Sequence, residues 1–505
     1  MKHVYYSIAL LVALFAGCVT DPGNYTYIDE ETLAPAALSG IQAEYSMEYS
    51  DTLRILPILA EGADEAAHDY LWYIYSTEMA RDTIGREKEL VYPVMIAPAL
   101  NYRIALQITN KKTGLYKYYY TTLKVTTHFA EGWYVMKDID GVADIDFIFP
   151  DGRVATDIIK NVNGEGVPGE GIACADARQI TVIVPLEENR DTIYNNLNCL
   201  YLLTRSTVQL YNVENMELLN KIENLFMGTP PRFAPGSLSC TTDTKVLFND
   251  SVSYVLDTRV ENIGKWGVVT PGSRVDPVNM CRSYMGQFLV FDPDTRSLKQ
   301  LNTFRGSYNA IRPGGTPPVN NMDYDMVFMR EKAEMFQGGV AIMKNRGTGE
   351  YHGMVINGFM SQAMWEMPTA PLLMNPIATS VVIPAGSNVL EASVRGTHRN
   401  MDVLYFSKGD NEVWYYNLVN RTEAKVVALP SGEQVVHVHT VARYIDNKTY
   451  YNLTVLTTRN GNWTLRIYDY QASSPLVVEE PLAVYSGQGN PRHVFYRSLT
   501  STTSF

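Results

Sequence analysis

The sequence predicts an all-β protein, an Ig-like β-sandwich followed by a seven- or eight-bladed β-propeller-like domain. Three observations carry that expectation. Tyr (34), Gly (35) and Pro (25) are abundant, which favours short strands joined by turns over long helices. Apolar and polar residues alternate in short runs through the body of the chain, the pattern of half-buried strands. Two hairpins near the C-terminal end also read as copies of one unit: Val403 to Phe406 turning through Lys408-Gly409-Asp410-Asn411 into Val413 to Asn417, and Asn452 to Thr457 turning through Asn460-Gly461 into Thr464 to Asp469. Such repetition is the signature of propeller blades.

Each segment follows in order. Met1 to Cys18 holds Lys2 and His3, an apolar stretch from Ile8 to Phe15, and the small pair Ala16-Gly17 before Cys18. This is a secretory signal, shorter than the roughly 20 residues a membrane-spanning helix needs. The small pair before a cysteine resembles a bacterial lipobox, which implies that Cys18 is lipidated and is the membrane anchor. Residues 1–17 are then the signal peptide and 18–32 a tether, with acidic Asp29, Glu30 and Glu31 and little apolar content.

Residues 33–127 carry extended runs at Thr52 to Ile58, Tyr70 to Tyr75, Asn101 to Ile108 and Tyr116 to Val125, with Trp72 in an early central strand of the sandwich. From Gly132-Trp133 onward hairpins recur to the end of the chain. They include Leu200 to Thr204 with Val208 to Tyr211, Val246 to Phe248 with Val252 to Leu256, and Gln287 to Phe291 closed by Asp292-Pro293-Asp294. Residues 128–505, at about 45 to 50 residues per blade, give the blade count. A closed propeller requires the strand near Val494 to Tyr496 to pair with one near Trp133. A jelly-roll pair or a β-helix is the architectural alternative. The spacing of Val213, Met216, Leu219 and Ile222 predicts one short helix over Val213 to Leu225.

The chain has 505 residues, 46% hydrophobic and 19% charged, enough for several buried cores. Its 54 acidic against 42 basic residues give a net charge of -12. With no basic tract, that balance excludes a nucleic-acid partner. Cys174, Cys199, Cys240 and Cys281 form no CxxC pair, so buried thiols or one or two disulfides both fit and no zinc motif is readable.

Chemical motifs are sparse. HExxH, GxSxG and GxxxxGK[ST] are absent, which lowers the expectation of a zinc protease, an esterase or a P-loop. Gly164 to Gly171 is Gly-rich, but Glu165, Glu170 and Pro168 make it a flexible loop and a poor phosphate cradle. His437 and His439 share one strand face and are weak metal candidates; an ordinary half-buried strand explains them as well. Asp144 with Asp146, and Asp292 with Asp294, suit turns as well as acid/base work. Trp266, Tyr284, Tyr308 and Arg312 lie near Gly/Pro-rich loops and are the candidate ligand face. Between Met354 and Met374, interrupted by prolines, Met360, Met364, Trp365 and Met367 form the candidate partner contact, because Met and Trp are enriched in adaptable interfaces. No cofactor is implied.

Cys18 followed by Asp21-Pro22-Gly23-Asn24-Tyr25-Thr26-Tyr27, the Trp72 sandwich and the Gly132-Trp133 opening of a long β-repeat together resemble the PKD-like lipoproteins of Bacteroidetes. The resemblance implies a PKD-like first domain and a lipid-anchored outer-membrane protein facing the cell surface. It also implies an accessory role beside a SusC/SusD-type, TonB-dependent importer that takes up peptides or glycans. The alternative is a surface propeller enzyme, a hydrolase or lyase acting on a glycan or peptide.

Overall fold

Trp72 is fully buried, at the centre of a core that belongs to the first part of the chain alone. The computed structural model describes residues 38–499, apart from 49–50, 62, 77–78, 95, 97–98, 127–128, 186–190, 242–243, 259–263, 270–273, 283–286, 304–305, 335–336, 359–373, 446–447 and 472–473. Its contacts divide the chain into two units, Met1–Thr126 and Thr127–Phe505.

In the first unit five strands pair in the order Glu44–Glu48, Tyr116–Thr126, Ala99–Asn110, His68–Tyr75 and Asp82–Gly85. The first pair is parallel and the others antiparallel. Period two puts Tyr70, Trp72 and Ile74, Tyr102, Ile104, Leu106 and Ile108, and Leu123 and Val125 on one face. Two short ribbons supply further core residues. Thr52–Ile55 pairs with Leu90–Pro93, and Leu38–Ser39 with Ile58–Leu59, and these add Leu53, Ile55, Leu90 and Leu59 to the same core. Burial leaves the Trp72 indole needing an acceptor, and it donates to the Glu87 carbonyl at 3.0 Å.

The second unit is a ring of seven sheets, counted among the described residues: six have four strands, and the first has a fifth, Val167–Pro168, paired to Val142–Ile148. Blade 1 runs Val154–Ala155, Val142–Ile148, Gly132–Ile139, Asn490–Arg497, so its innermost strand comes from the far end of the chain. Blades 2 to 7 are antiparallel meanders over residues 171–221, 235–268, 280–310, 324–383, 394–428 and 434–488. Trp133 pairs with Tyr496 and Tyr134 with Phe495, which closes the ring as the sequence requires. Tyr134 and Phe495 stack with centroids 4.9 Å apart, fastening that closure.

Seven clusters of buried side chains fill the seven gaps between neighbouring blades, the last joining blade 7 to blade 1. Each inner sheet is therefore covered on both faces, so its strands read as near-continuous apolar runs. Within Cys199–Leu203, Cys199, Tyr201 and Leu203 face blade 3, while Leu200 and Leu202 face blade 1. Val403 and Tyr405 face blade 7, and Leu404 and Phe406 face blade 5.

A polar belt ties the inner strands across every gap. Arg178 donates to the Ser498 carbonyl, Lys245 Nζ to the Arg178 carbonyl at 3.0 Å and Arg282 Nη1 to the Cys240 carbonyl at 3.0 Å. The Arg282 amide donates to Glu331 Oε2, Thr397 Oγ1 to the Glu331 carbonyl, Thr440 Oγ1 to the Thr397 carbonyl, and the Tyr444 amide to Ser498 Oγ. Each of these satisfies a polar group that ring closure takes out of water.

The predicted helix over Val213 to Leu225 does not form. The chain turns at Met216, which has φ 58°, then runs as strand Leu218–Lys221 and the 3-10 turn Ile222–Asn224. Spacing of three suited another purpose: Val213 and Met216 fill the gap to blade 1, whereas Leu219 and Ile222 pack in the gap to blade 3.

Candidate functional site

The innermost strands of the seven blades surround a central cavity of about 510 Å³, and all seven contribute to its wall. Its polar lining includes Ser239, Arg282, Arg330, Glu331, Arg395, His437, His439 and His493. The strand Gln434–Ile445 supplies His437 and His439, as the sequence places them, and ring closure brings His493 of Asn490–Arg497 beside them. The ring centroids of His437 and His493 are 5.8 Å apart, and those of His437 and His439 are 6.3 Å apart.

Electrostatics hold these imidazoles neutral. Burial pushes all three below the ordinary histidine value, and the Arg330 guanidinium lowers each further; His493 falls to about 4. His439 Nδ1 accepts from the Thr397 amide at 3.3 Å, so its proton sits on Nε2. His437 Nε2 is buried and has no hydrogen-bond partner among the described residues. His398 does not join them. Its Nδ1 accepts from the Asn400 and Met401 amides at 3.2 and 3.0 Å, capping a turn in blade 6, and burial pushes its pKa down to about 4.

Cys174 Sγ lies 3.5 Å from His493 Nδ1, the one thiol–imidazole contact among the described residues. It is not an activated nucleophile, because burial pushes the thiol pKa up and leaves no thiolate to react. All four cysteines of the propeller are buried and free. No cluster of three or more His, Cys, Asp or Glu suited to a metal occurs among the described residues.

The other carboxylates singled out in the sequence are built into blades. Asp144 accepts from the Ile159 and Lys160 amides at 2.9 and 3.1 Å, fixing the short helix Ile158–Asn163. Asp146 is fully buried, pairs with Lys137 Nζ at 2.8 Å and accepts from Trp463 Nε1 of blade 7 at 2.8 Å. Asp292 accepts from the Asp294 and Thr295 amides and pairs with Lys299 Nζ at 2.5 Å, so it shapes a turn. Asp294 pairs with Arg274 at 3.2 Å on the surface.

The loop residues expected to form one ligand face are not gathered at the cavity. Trp266 is 1% exposed and packs between Tyr201 and Phe226, so it is a core residue of the gap between blades 2 and 3. Tyr308 is half-buried against the gap between blades 3 and 4, and its hydroxyl donates to Ser253 Oγ at 2.6 Å. Arg312 is exposed. Tyr284, Met360, Met364, Trp365, Met367 and Cys18 lie outside the described residues, while Met354 is buried between blades 4 and 5.

The sandwich has a second hollow of about 410 Å³, lined by Tyr75, Met79, Arg81, Ala105, Tyr118 and Tyr120 among others. Two of its rings are already engaged: Arg81 sits 5.4 Å over Tyr118, and Tyr118 stacks on Tyr120 at 6.0 Å. Those contacts occupy the ring faces a flat ligand would use.

Comparison with known proteins finds a family likeness in the first part of the chain. The profile of the PKD-like family matches residues 18–170, which take in the sandwich and the opening strands of blade 1. No curated protein matches. Among solved structures, a quinonprotein alcohol dehydrogenase-like protein from Bacteroides thetaiotaomicron is 13% identical, with 90% of this chain and 97% of that one covered at a TM-score of 0.36. A protein of unknown function from the same organism is 10% identical, covering 85% and 96% at 0.27. A DUF4784 family protein from Bacteroides caccae is 9% identical, covering 89% and 98% at 0.25. Neither ligand nor activity passes to this chain from likenesses of this size.

Proposed function

We propose that this chain is a ligand-binding accessory protein whose site is the central cavity of the propeller. One observation carries the reading: a central cavity whose wall keeps polar atoms without partners among the described residues, His437 Nε2 foremost. Such atoms cost free energy unless something from solution meets them. A volume of about 510 Å³ falls within the range of small-molecule sites, about 300 to 1,000 Å³.

An enzyme reading has less support from the same wall. Glu331 is the single carboxylate among the described lining residues, and Arg282 engages it through its amide at 3.1 Å and its guanidinium at 3.5 Å. Imidazoles with lowered pKa are weak bases at neutral pH, and the Cys174 thiol is protonated. Proton transfer therefore lacks a matched pair.

The finer reading places the protein on the outer membrane, held by lipid on Cys18 and facing the cell surface beside a SusC/SusD-type importer of peptides or glycans. Its supports are the signal-like segment before Cys18 and a PKD-like match that opens at that residue. Tethering makes a modest partner interface sufficient, because it raises the local concentration of both proteins. Cys18→Ala should release the protein from membranes, and a processed variant that stays bound would contradict the anchor. Binding itself is tested by thermal-shift screening of defined peptides and oligosaccharides, with mass spectrometry of the same mixtures. A stabilising compound recovered intact supports the reading; a compound converted to product supports the enzyme instead.

A further inference from the structure

Charge is distributed unevenly in this acidic protein. The cavity wall carries three arginines, Arg282, Arg330 and Arg395, against the one carboxylate of Glu331 among the described lining residues, whereas the chain as a whole has net charge -12. Most buried cations nearby have assigned partners. Arg282 has Glu331 and the Cys240 carbonyl, Arg178 and Arg497 share Asp176 at 2.6 and 3.0 Å, and Lys332 pairs with Asp402 at 2.6 Å. Arg395 reaches the Val389 carbonyl at 3.1 Å. Arg330 differs: among the described residues its side chain has neither an ion pair nor a hydrogen bond, and it stands half-buried on the wall.

The carboxylate that bears on Arg330, Glu331, is already engaged by Arg282. A guanidinium taken partly out of water with its counter-charge shared is costly, and its fork of donors suits two oxygens of one anion. Around it stand imidazoles that are neutral donors or acceptors. His439 presents an Nε2 proton, because its Nδ1 is taken by Thr397, and His437 Nε2 has no partner among the described residues. We propose that the cavity binds an oxyanion group of a small ligand, held by Arg330 and hydrogen-bonded by His437 and His439. This rests on the cavity being the binding site and adds the chemical class of what enters it. A positive group on the cavity wall also discriminates, since a neutral ligand of equal size would leave Arg330 without an anion.

The test uses the full chain with labelled histidines and follows the imidazole resonances as sodium sulfate or sodium acetate is added, with sodium chloride at matched ionic strength as control. Saturable shifts of the His437 and His439 signals with sulfate, acetate or both, but not with chloride, are expected. Which probe acts distinguishes a sulfate-like from a carboxylate group. Arg330→Gln should weaken the response at least tenfold, and the exposed Arg54→Gln should leave it unchanged. Imidazoles unmoved by both anions overturn the inference, as does equal affinity in Arg330→Gln. Should that variant not fold, the wild-type titration decides alone. If a neutral peptide or oligosaccharide stabilises the protein while both anions leave the imidazoles unmoved, the binding role stands and the oxyanion falls.

Discussion

Lys137 shows how a residue that looks like a surface charge becomes structural. It lies 1% exposed on a strand of blade 1, between Asp146 and Asp157, each 2.8 Å from Nζ. Removing one member of a buried pair leaves the other unpaired, so Lys137→Met should cost about 3 to 5 kcal/mol in chemical denaturation. Buried imidazoles make stability depend on pH. His398 and His493 have folded pKa values near 4, below the ordinary value of about 6.5, so the unfolded chain takes up protons first as pH falls. Their contribution is intact above about pH 6.5 and is lost progressively toward pH 4, at about 1.4 kcal/mol per pH unit for each. Thermal unfolding between pH 7 and 4 at fixed ionic strength should show that fall; a flat profile would contradict it. His437 and His439 were legible as neighbours because two residues apart on a strand share a face. His493 and Arg330 were not, since only ring closure and the blade count bring them to the same wall, and neither leaves a mark in local sequence.

Strands were the most legible elements, and their two-sided burial explains why. A sheet covered on both faces needs apolar residues at nearly every position, and runs such as Leu200 to Leu203 and Val403 to Phe406 announce it. The same demand misled the reading of Val213 to Leu225, where spacing of three serves a turn that supplies two different gaps. Trp266 misled likewise: a Trp near loop residues reads as a contact, yet an indole is also the largest filler a gap between blades can take. Close approach of elements is testable at Gly396, on the inner strand of blade 6, where a Cβ would sit 1.8 Å from the Val438 carbonyl oxygen of blade 7. Gly396→Ala should push those strands apart and cost about 1 to 3 kcal/mol, read as a lower denaturation midpoint at unchanged slope.

At the scale of the molecule, one fact organises the propeller: the chain returns to its own beginning, and Asn490–Arg497 completes blade 1. That strand contributes Val494 and Tyr496 to the gap with blade 7, Phe495 to the gap with blade 2, and His493 to the cavity. Removing residues 490–505 should therefore abolish cooperative unfolding rather than lower its midpoint by a few degrees, with calorimetry as the check. The sequence made this closure predictable, because a propeller has no other economical way to hide its last edge. What the ring encloses was beyond it, since the wall is assembled from a few residues of each of seven strands far apart in the sequence. The most direct measurement is a crystal structure of the protein grown with millimolar selenate, whose anomalous signal locates the ion. The account predicts a peak within hydrogen-bonding distance of Arg330 and His437 that disappears in Arg330→Gln. A cavity without a peak, or selenate bound only on the outer surface, in a protein whose cavity imidazoles are also unmoved by acetate, would contradict it.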